Sequence, residues 1–179
     1  MVGIAALAAA CLLLARRAPA QTNNSSEYAV KAAFLFHFAQ FVEWPAGTFK
    51  DAKSPLTYCT LGVDPFSGAL DDTLRGKTIG ERAIHVQHLR SSEPVQGCQV
   101  LFMGAVEGKR TFGLLAKQAI LTVGESQNFA EEGGMIEFLL EGNKIRFAIN
   151  LRAVNTARLK MSARLLALAK NVIETDGGN

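Results

Sequence analysis

The sequence predicts a single α/β domain: a mixed, mainly parallel sheet with helices on both faces and a C-terminal antiparallel hairpin. Three observations predict it. Between residues 27 and 123, short β-rich apolar runs alternate with helical segments, an arrangement that needs crossover connections. From residue 135 to 149 the pattern becomes strand, turn, strand with no helix between. The 179 residues, 49% hydrophobic and 20% charged, suit one core better than two small ones.

The first twenty residues stand apart. Residues 4–15 are apolar and uncharged, and Ala18-Pro19-Ala20 is the small-x-small pattern of a signal-peptidase site. Twelve apolar residues are too few for a membrane span, which needs about 20. Residues 1–20 are therefore read as a cleaved signal peptide and residues 21–26 as a flexible leader, with the domain over 27–175. Cys11 is a small residue within the apolar run. Removing Arg16 and Arg17 takes the net charge from +3 (19 minus 16) to +1 (17 minus 16). A nearly neutral chain has no basic field for nucleic acid.

Residues 27–42 read as a helix that opens on Glu27 and Lys31 as an i,i+4 pair and is then apolar on nearly every side. Such a helix is expected to be buried on more than one flank, and Pro45 stops it. Residues 56–63 form a continuous apolar strand, as expected where both faces are covered. Asp64-Pro65 turns the chain into a short helix over 66–74. Strands over 82–89 and 99–103, a helix over 109–118 and a strand over 120–123 follow.

Gly133-Gly134 opens a strand over 135–140, and Glu141-Gly142-Asn143 makes a tight turn, since Gly and Asn tolerate positive φ. Residues 144–149 alternate polar and apolar, so Ile145, Phe147 and Ile149 share a face that Lys144 and Arg146 avoid. This hairpin is expected at one edge of the sheet. From residue 151 the period becomes helical, with Leu159, Leu165, Leu166, Leu168, Ala169 and Val172 in one stripe.

With Cys11 removed, Cys59 and Cys98 are an even pair in a compartment that oxidises thiols. A disulfide between them is expected.

Little else in the chain suggests chemistry. Gly76-Lys77-Thr78 resembles the end of a phosphate-binding loop, but Asp71 stands where its first glycine should be and no helix follows. Gly124-Glu125-Ser126-Gln127-Asn128 lacks the second glycine of a nucleophile elbow, and Ser126 is read as a helix cap before residues 127–131. His85 and His88, three apart on a strand, fall on opposite faces and share no metal. Only His37 remains of the three histidines. No catalytic, cofactor-binding or metal-binding residues are assigned, and an enzyme is not expected.

Several unusual strings occur in order: KAAFLFHFAQFVEWP at residues 31–45, then LTVGES, GGMIEF, KIRFAINL and LKMSARLLALAK. Together they closely resemble the YfiR-like (DUF4154) family of secreted bacterial proteins. The resemblance implies a periplasmic negative regulator of an inner-membrane signalling protein, a diguanylate cyclase or a sensor kinase, that lowers cyclic-di-GMP and acts on biofilm formation. It also implies a cysteine pair placed as Cys59 and Cys98 are. Some members have a second pair around the Gly-Gly segment, where this chain has Ala130 and Glu137. An acidic residue often found between the Phe and Ile of the RFxIN segment is Ala148 here.

For such a regulator the hairpin is the expected partner-binding surface, with bare backbone at Gly133-Gly134 beside Met135, Ile136, Glu137 and Phe147. The sequence leaves room for a homodimer. The alternative is a periplasmic small-molecule binding or sensor module, with a cleft at the ends of the parallel strands near Gly62 or Gly104.

Overall fold

Leu56–Leu61 (β2) is buried at every residue, because the sheet continues on both of its edges and helices cover both of its faces. It pairs in parallel with Arg82–Leu89 (β4) on one side and Val100–Met103 (β5) on the other. The chain therefore runs outward from β2 first in one direction and then in the other. Beyond β5 come Leu121–Gly124 (β6), Ile136–Glu141 (β7), Lys144–Asn150 (β8) and Asn171–Ile173 (β10). The full order is β10-β8-β7-β6-β5-β2-β4-β3, where β3 is Thr78–Ile79. The strands from β4 to β7 are mutually parallel, β8 is antiparallel to β7, and β10 is parallel to β8. This is the mixed, mainly parallel sheet that the sequence predicts.

The structure is a computed structural model, and it describes residues 22–104 and 109–174. The expected signal peptide, with its cleavage site after Ala20, lies outside the described residues. Among the described residues, no helix is long and apolar enough to cross a membrane.

Thr22–Gln40 (α1) crosses one face of the sheet. It begins ahead of Glu27, so residues 22–26 are helical and not a leader. With Ala69–Leu74 (α2), Leu151–Thr156 (α4) and Ala163–Leu168 (α5) it closes the larger core, built on Leu35, Phe38, Tyr58, Phe102, Leu121, Ile149 and Leu165. The opposite face holds a smaller core of Leu101, Met103, Phe112, Leu115, Ile120 and Phe129 under Lys109–Leu115 (α3).

Three expected elements differ. The C-terminal helical stripe is broken into α4, the two-residue strand Lys160–Met161 (β9), α5 and β10. Arg158 takes φ +60, which ends α4 because a left-handed residue cannot continue a right-handed helix. β9 then pairs with Val42–Glu43 (β1), and the Ser162 hydroxyl, accepting from the Leu165 N–H, starts α5. Residues 127–131 form turns in place of the expected helix, with Asn128 at φ +62. The helix after Asp64-Pro65 begins at Ala69, behind Ser67 and Gly68 at φ 50 and 88.

Candidate partner-binding surface

Met135, Ile136, Glu137 and Phe147 are all buried, at 3%, 0%, 8% and 4% relative exposure. They are core, so the hairpin face expected to meet a partner is not available to one. Two tertiary contacts cause this. β10 pairs with Ala148, Ile149 and Asn150 of β8, so the base of the hairpin is internal to the sheet and not its edge. α1 covers its apolar face, with the Phe147 ring 5.0 Å from Phe38 and 5.9 Å from Phe34. Glu137, on the other face, is satisfied inside: its carboxylate accepts the Ala130 N–H at 3.0 Å. Gly134 faces the Phe129 ring and exposes no backbone to a partner.

An apolar surface remains beside it. α1 is apolar around most of its circumference, yet only one side of it reaches the sheet. Ala29, Val30 and His37 are exposed on the far side, with Ala33 and Phe34 half-buried among them. The hairpin continues this surface. Leu140 and Ile145 are cross-strand partners on the same face as Phe138 and Phe147, but they lie beyond the end of the α1 cover. Val30 is 43% exposed and Leu140 59%. Val30, Leu140 and Ile145 line one groove of about 430 Å³ with Ser26, Gly142 and Asn143. Ala29, Val30, Ala33, Phe34 and His37 line the next, of about 470 Å³. Val30 and Ser26 belong to both, so the patch is continuous across helix and hairpin.

Its position is set by a buried charge cluster. Lys31, 5% exposed, is bonded to both Glu27 and Glu125, and the Tyr28 hydroxyl donates to Glu125 at 2.8 Å. Burial, followed by the Glu125 contact, pushes the Tyr28 hydroxyl well above its ordinary pKa. The i,i+4 pair of Glu27 and Lys31 is readable in sequence. Its third member, 94 residues away, is not, and it is what ties α1 to the end of β6.

The YfiR/HmsC-like family model, DUF4154, matches residues 28–170. The chain belongs to the YfiR/HmsC-like family. No curated protein matches it significantly. The family is known as one of periplasmic regulatory domains.

As the family resemblance implies, Cys59 and Cys98 are joined in a disulfide, Cα to Cα 5.9 Å, at 1% and 3% exposure. It links β2 to the residues that lead into β5. Around the Gly-Gly segment, the Ala130 N–H to Glu137 hydrogen bond brings these two residues together. The Asn150 side chain donates to the Ala130 carbonyl at 2.6 Å and so holds the same turn.

Sequence reasoning also misses a cluster around His88. Its Nδ1 lies 2.9 Å from Thr60 Oγ1 and 3.3 Å from Asp64, and its Nε2 lies 3.0 Å from Asp71. A hydroxyl, an imidazole and a carboxylate in line resemble a nucleophilic set. Thr60, however, is 0% exposed, so no substrate reaches it, and the cluster serves to fasten α2 to β4. His85 is exposed on the opposite face, as alternation requires. Among the described residues, no group of three His, Cys, Asp or Glu is arranged to hold a metal ion.

Proposed function

We propose that this protein is a periplasmic regulator that binds and inhibits an inner-membrane signalling protein, a diguanylate cyclase, and so lowers cyclic-di-GMP. The observation that carries the reading is the continuous apolar patch of Val30, Ala33, Phe34, Leu140 and Ile145 on a chain of the YfiR/HmsC-like family. A patch of apolar side chains edged by Ser26, Glu27 and Asn143 has the anatomy of a protein-binding surface, an apolar centre within a polar rim. Inhibition needs no chemistry. A protein that binds the inactive form of the receptor's periplasmic domain more tightly than the active form shifts that equilibrium by its differential affinity alone.

The effect is therefore stoichiometric and reversible. Deleting the gene raises cyclic-di-GMP, and Leu140→Asp in the chromosomal copy does the same while secretion continues. Unchanged cyclic-di-GMP in the deletion strain would sink this reading. A sensor kinase as the partner would leave cyclic-di-GMP unchanged and alter phosphoryl transfer instead.

A second reading is a small-molecule sensor, favoured by a cavity of about 350 Å³ lined by Phe112, Leu115, Thr122, Met135, Asn150 and Arg152. It lies on the α3 face and not at the strand ends, where a side chain at Gly104 would stand 3.4 Å from the Val63 carbonyl. Met135 and Asn150 are at the base of the hairpin whose tip carries Leu140 and Ile145, so occupancy there would report to the patch. A neighbouring gene for a membrane cyclase favours the first reading, and one for a transporter the second.

A further inference from the structure

The cavity of about 350 Å³ beside α3 has walls suited to one class of ligand. Phe112, Leu115 and Met135 line it and are 6%, 4% and 3% exposed, so its interior is apolar and of a size that takes one ring. Gly113 lines it too. Glycine inside a helix is less stable there than alanine, and a Cβ at Gly113 would meet no atom within 4 Å. Packing within the protein does not require that glycine, which leaves the wall bare where it borders the cavity.

The polar groups left unused along this wall are donors. Thr122, 2% exposed, accepts the Met135 N–H on its hydroxyl oxygen at 3.1 Å, and its own O–H has no acceptor among the described residues. Asn150 accepts the Ala153 N–H and donates one amide hydrogen to the Ala130 carbonyl, which leaves its second amide hydrogen unused. A buried donor without an acceptor is unfavourable, and a ligand oxygen relieves it. Arg152, also in the lining, is exposed, and its guanidinium makes no hydrogen bond or ion pair with a described residue. That planar fork matches a carboxylate.

We infer that this cavity binds a small organic carboxylate with an apolar, one-ring body. The ring lies against Phe112, Leu115 and Met135 and the carboxylate pairs with Arg152, its oxygens being the acceptors that Thr122 and Asn150 lack. Glu131 and Glu132 line the cavity as well and oppose an anion, so the carboxylate sits on the Arg152 side. The interior decides between anion and cation. Its unused groups are donors, and an ammonium would bring only more donors to them. The inference rests on the second reading above, because it takes the cavity as a ligand site, and it is independent of the α1 and hairpin patch.

Three probes that share one apolar body separate the classes: phenylacetate, its neutral amide phenylacetamide, and 2-phenylethylamine. Each is titrated into the mature protein by calorimetry, while the backbone amide resonances of Thr122 and Met135 report whether the cavity is where it binds. Phenylacetate should bind once per chain and at least about tenfold tighter than phenylacetamide, because hydrogen bonds to a charged group are the stronger kind. Arg152→Gln, at an exposed position, should fold as wild type does and bring phenylacetate down to the level of the amide. Glu131→Gln removes a repelling charge and should tighten phenylacetate about two- to fivefold, whereas it would loosen an ammonium. Equal binding of phenylacetate and phenylacetamide, tighter binding of the amine, or unchanged phenylacetate affinity in Arg152→Gln overturns the carboxylate and leaves the sensor reading standing. So does a Glu131→Gln protein that binds phenylacetate more weakly. If none of the three probes moves the Thr122 and Met135 resonances at millimolar concentration, the inference and the sensor reading both fall.

Discussion

Adding one methyl group at Gly134 should cost this fold about 3 kcal/mol. A Cβ built there stands 2.1 Å from Cε1 of Phe129, and one at Gly124 stands 2.3 Å from Cε2 of the same ring. The ring is thus held between two glycines, 1% exposed, with Phe112 edge-on at 5.0 Å. It has nowhere to retreat. Overpacking a core usually costs about 1–3 kcal/mol, and a rigid ring blocked on its far side puts Gly134→Ala at the upper end. Gly134 does not adopt a positive φ, unlike Gly133 at φ +118, so backbone strain adds nothing. Phe129→Ala alone removes a buried aromatic and costs about 3–5 kcal/mol. If the ring is the whole obstacle, Gly134→Ala costs nearly nothing in the Phe129→Ala background, and the coupling energy is about 3 kcal/mol. Denaturant unfolding of the four proteins at equal m-value measures it, and the single variant should melt about 6–12 °C lower than wild type. A cost for Gly134→Ala below about 0.5 kcal/mol, or the same cost in both backgrounds, would refute this account.

Two further outcomes follow from buried groups. Alkylation of the folded mature protein should label no cysteine until it is reduced, since Cys59 and Cys98 are bonded. Reduction should lower stability by at most about 4 kcal/mol, the chain-entropy value for a loop of this length, and rapid labelling without reductant would contradict the bond. Tyr58, 0% exposed, has its hydroxyl pKa raised by burial. The folded state thus holds that proton more tightly than the unfolded chain. Its contribution is complete below the unfolded tyrosine value of about 10 and is lost as pH rises above it. Unfolding free energies measured from pH 8 to 11 should therefore fall at the alkaline end, and less steeply for Tyr58→Phe. An equal slope in both proteins would show that the buried phenol is not the cause.

Much of the architecture is legible in sequence because its signals are local. The fully buried β2, the change to period two at the hairpin and the turn at Gly142 each follow from spacing or from one residue's backbone preference. The cysteine pair follows from arithmetic and compartment. What is not legible depends on contacts between distant segments. Alternation separates Glu137 from Ile136, but it cannot say that both faces of β7 are covered, or that the Ala130 N–H turns back to satisfy a buried carboxylate. The apolar stripe from Leu159 to Val172 reads as one helix, because the pairing of β9 with β1 that interrupts it lies more than a hundred residues away in the chain. The same limit moved the candidate site. An α1 that is apolar all round announces burial, and only the packed sheet shows that the Val30 flank is left bare beside Leu140.

The central claim is that this bare patch binds a membrane signalling partner. The most direct measurement is the affinity of the purified mature protein for the periplasmic domain of a candidate membrane cyclase, compared with that of Leu140→Asp. Leu140 is 59% exposed, so the variant should keep its unfolding free energy within about 0.5 kcal/mol of wild type. Placing a carboxylate in the apolar centre of the interface should weaken binding at least about tenfold, or 1.4 kcal/mol. Absence of binding by the wild type, or equal binding by a folded Leu140→Asp protein, would contradict the account.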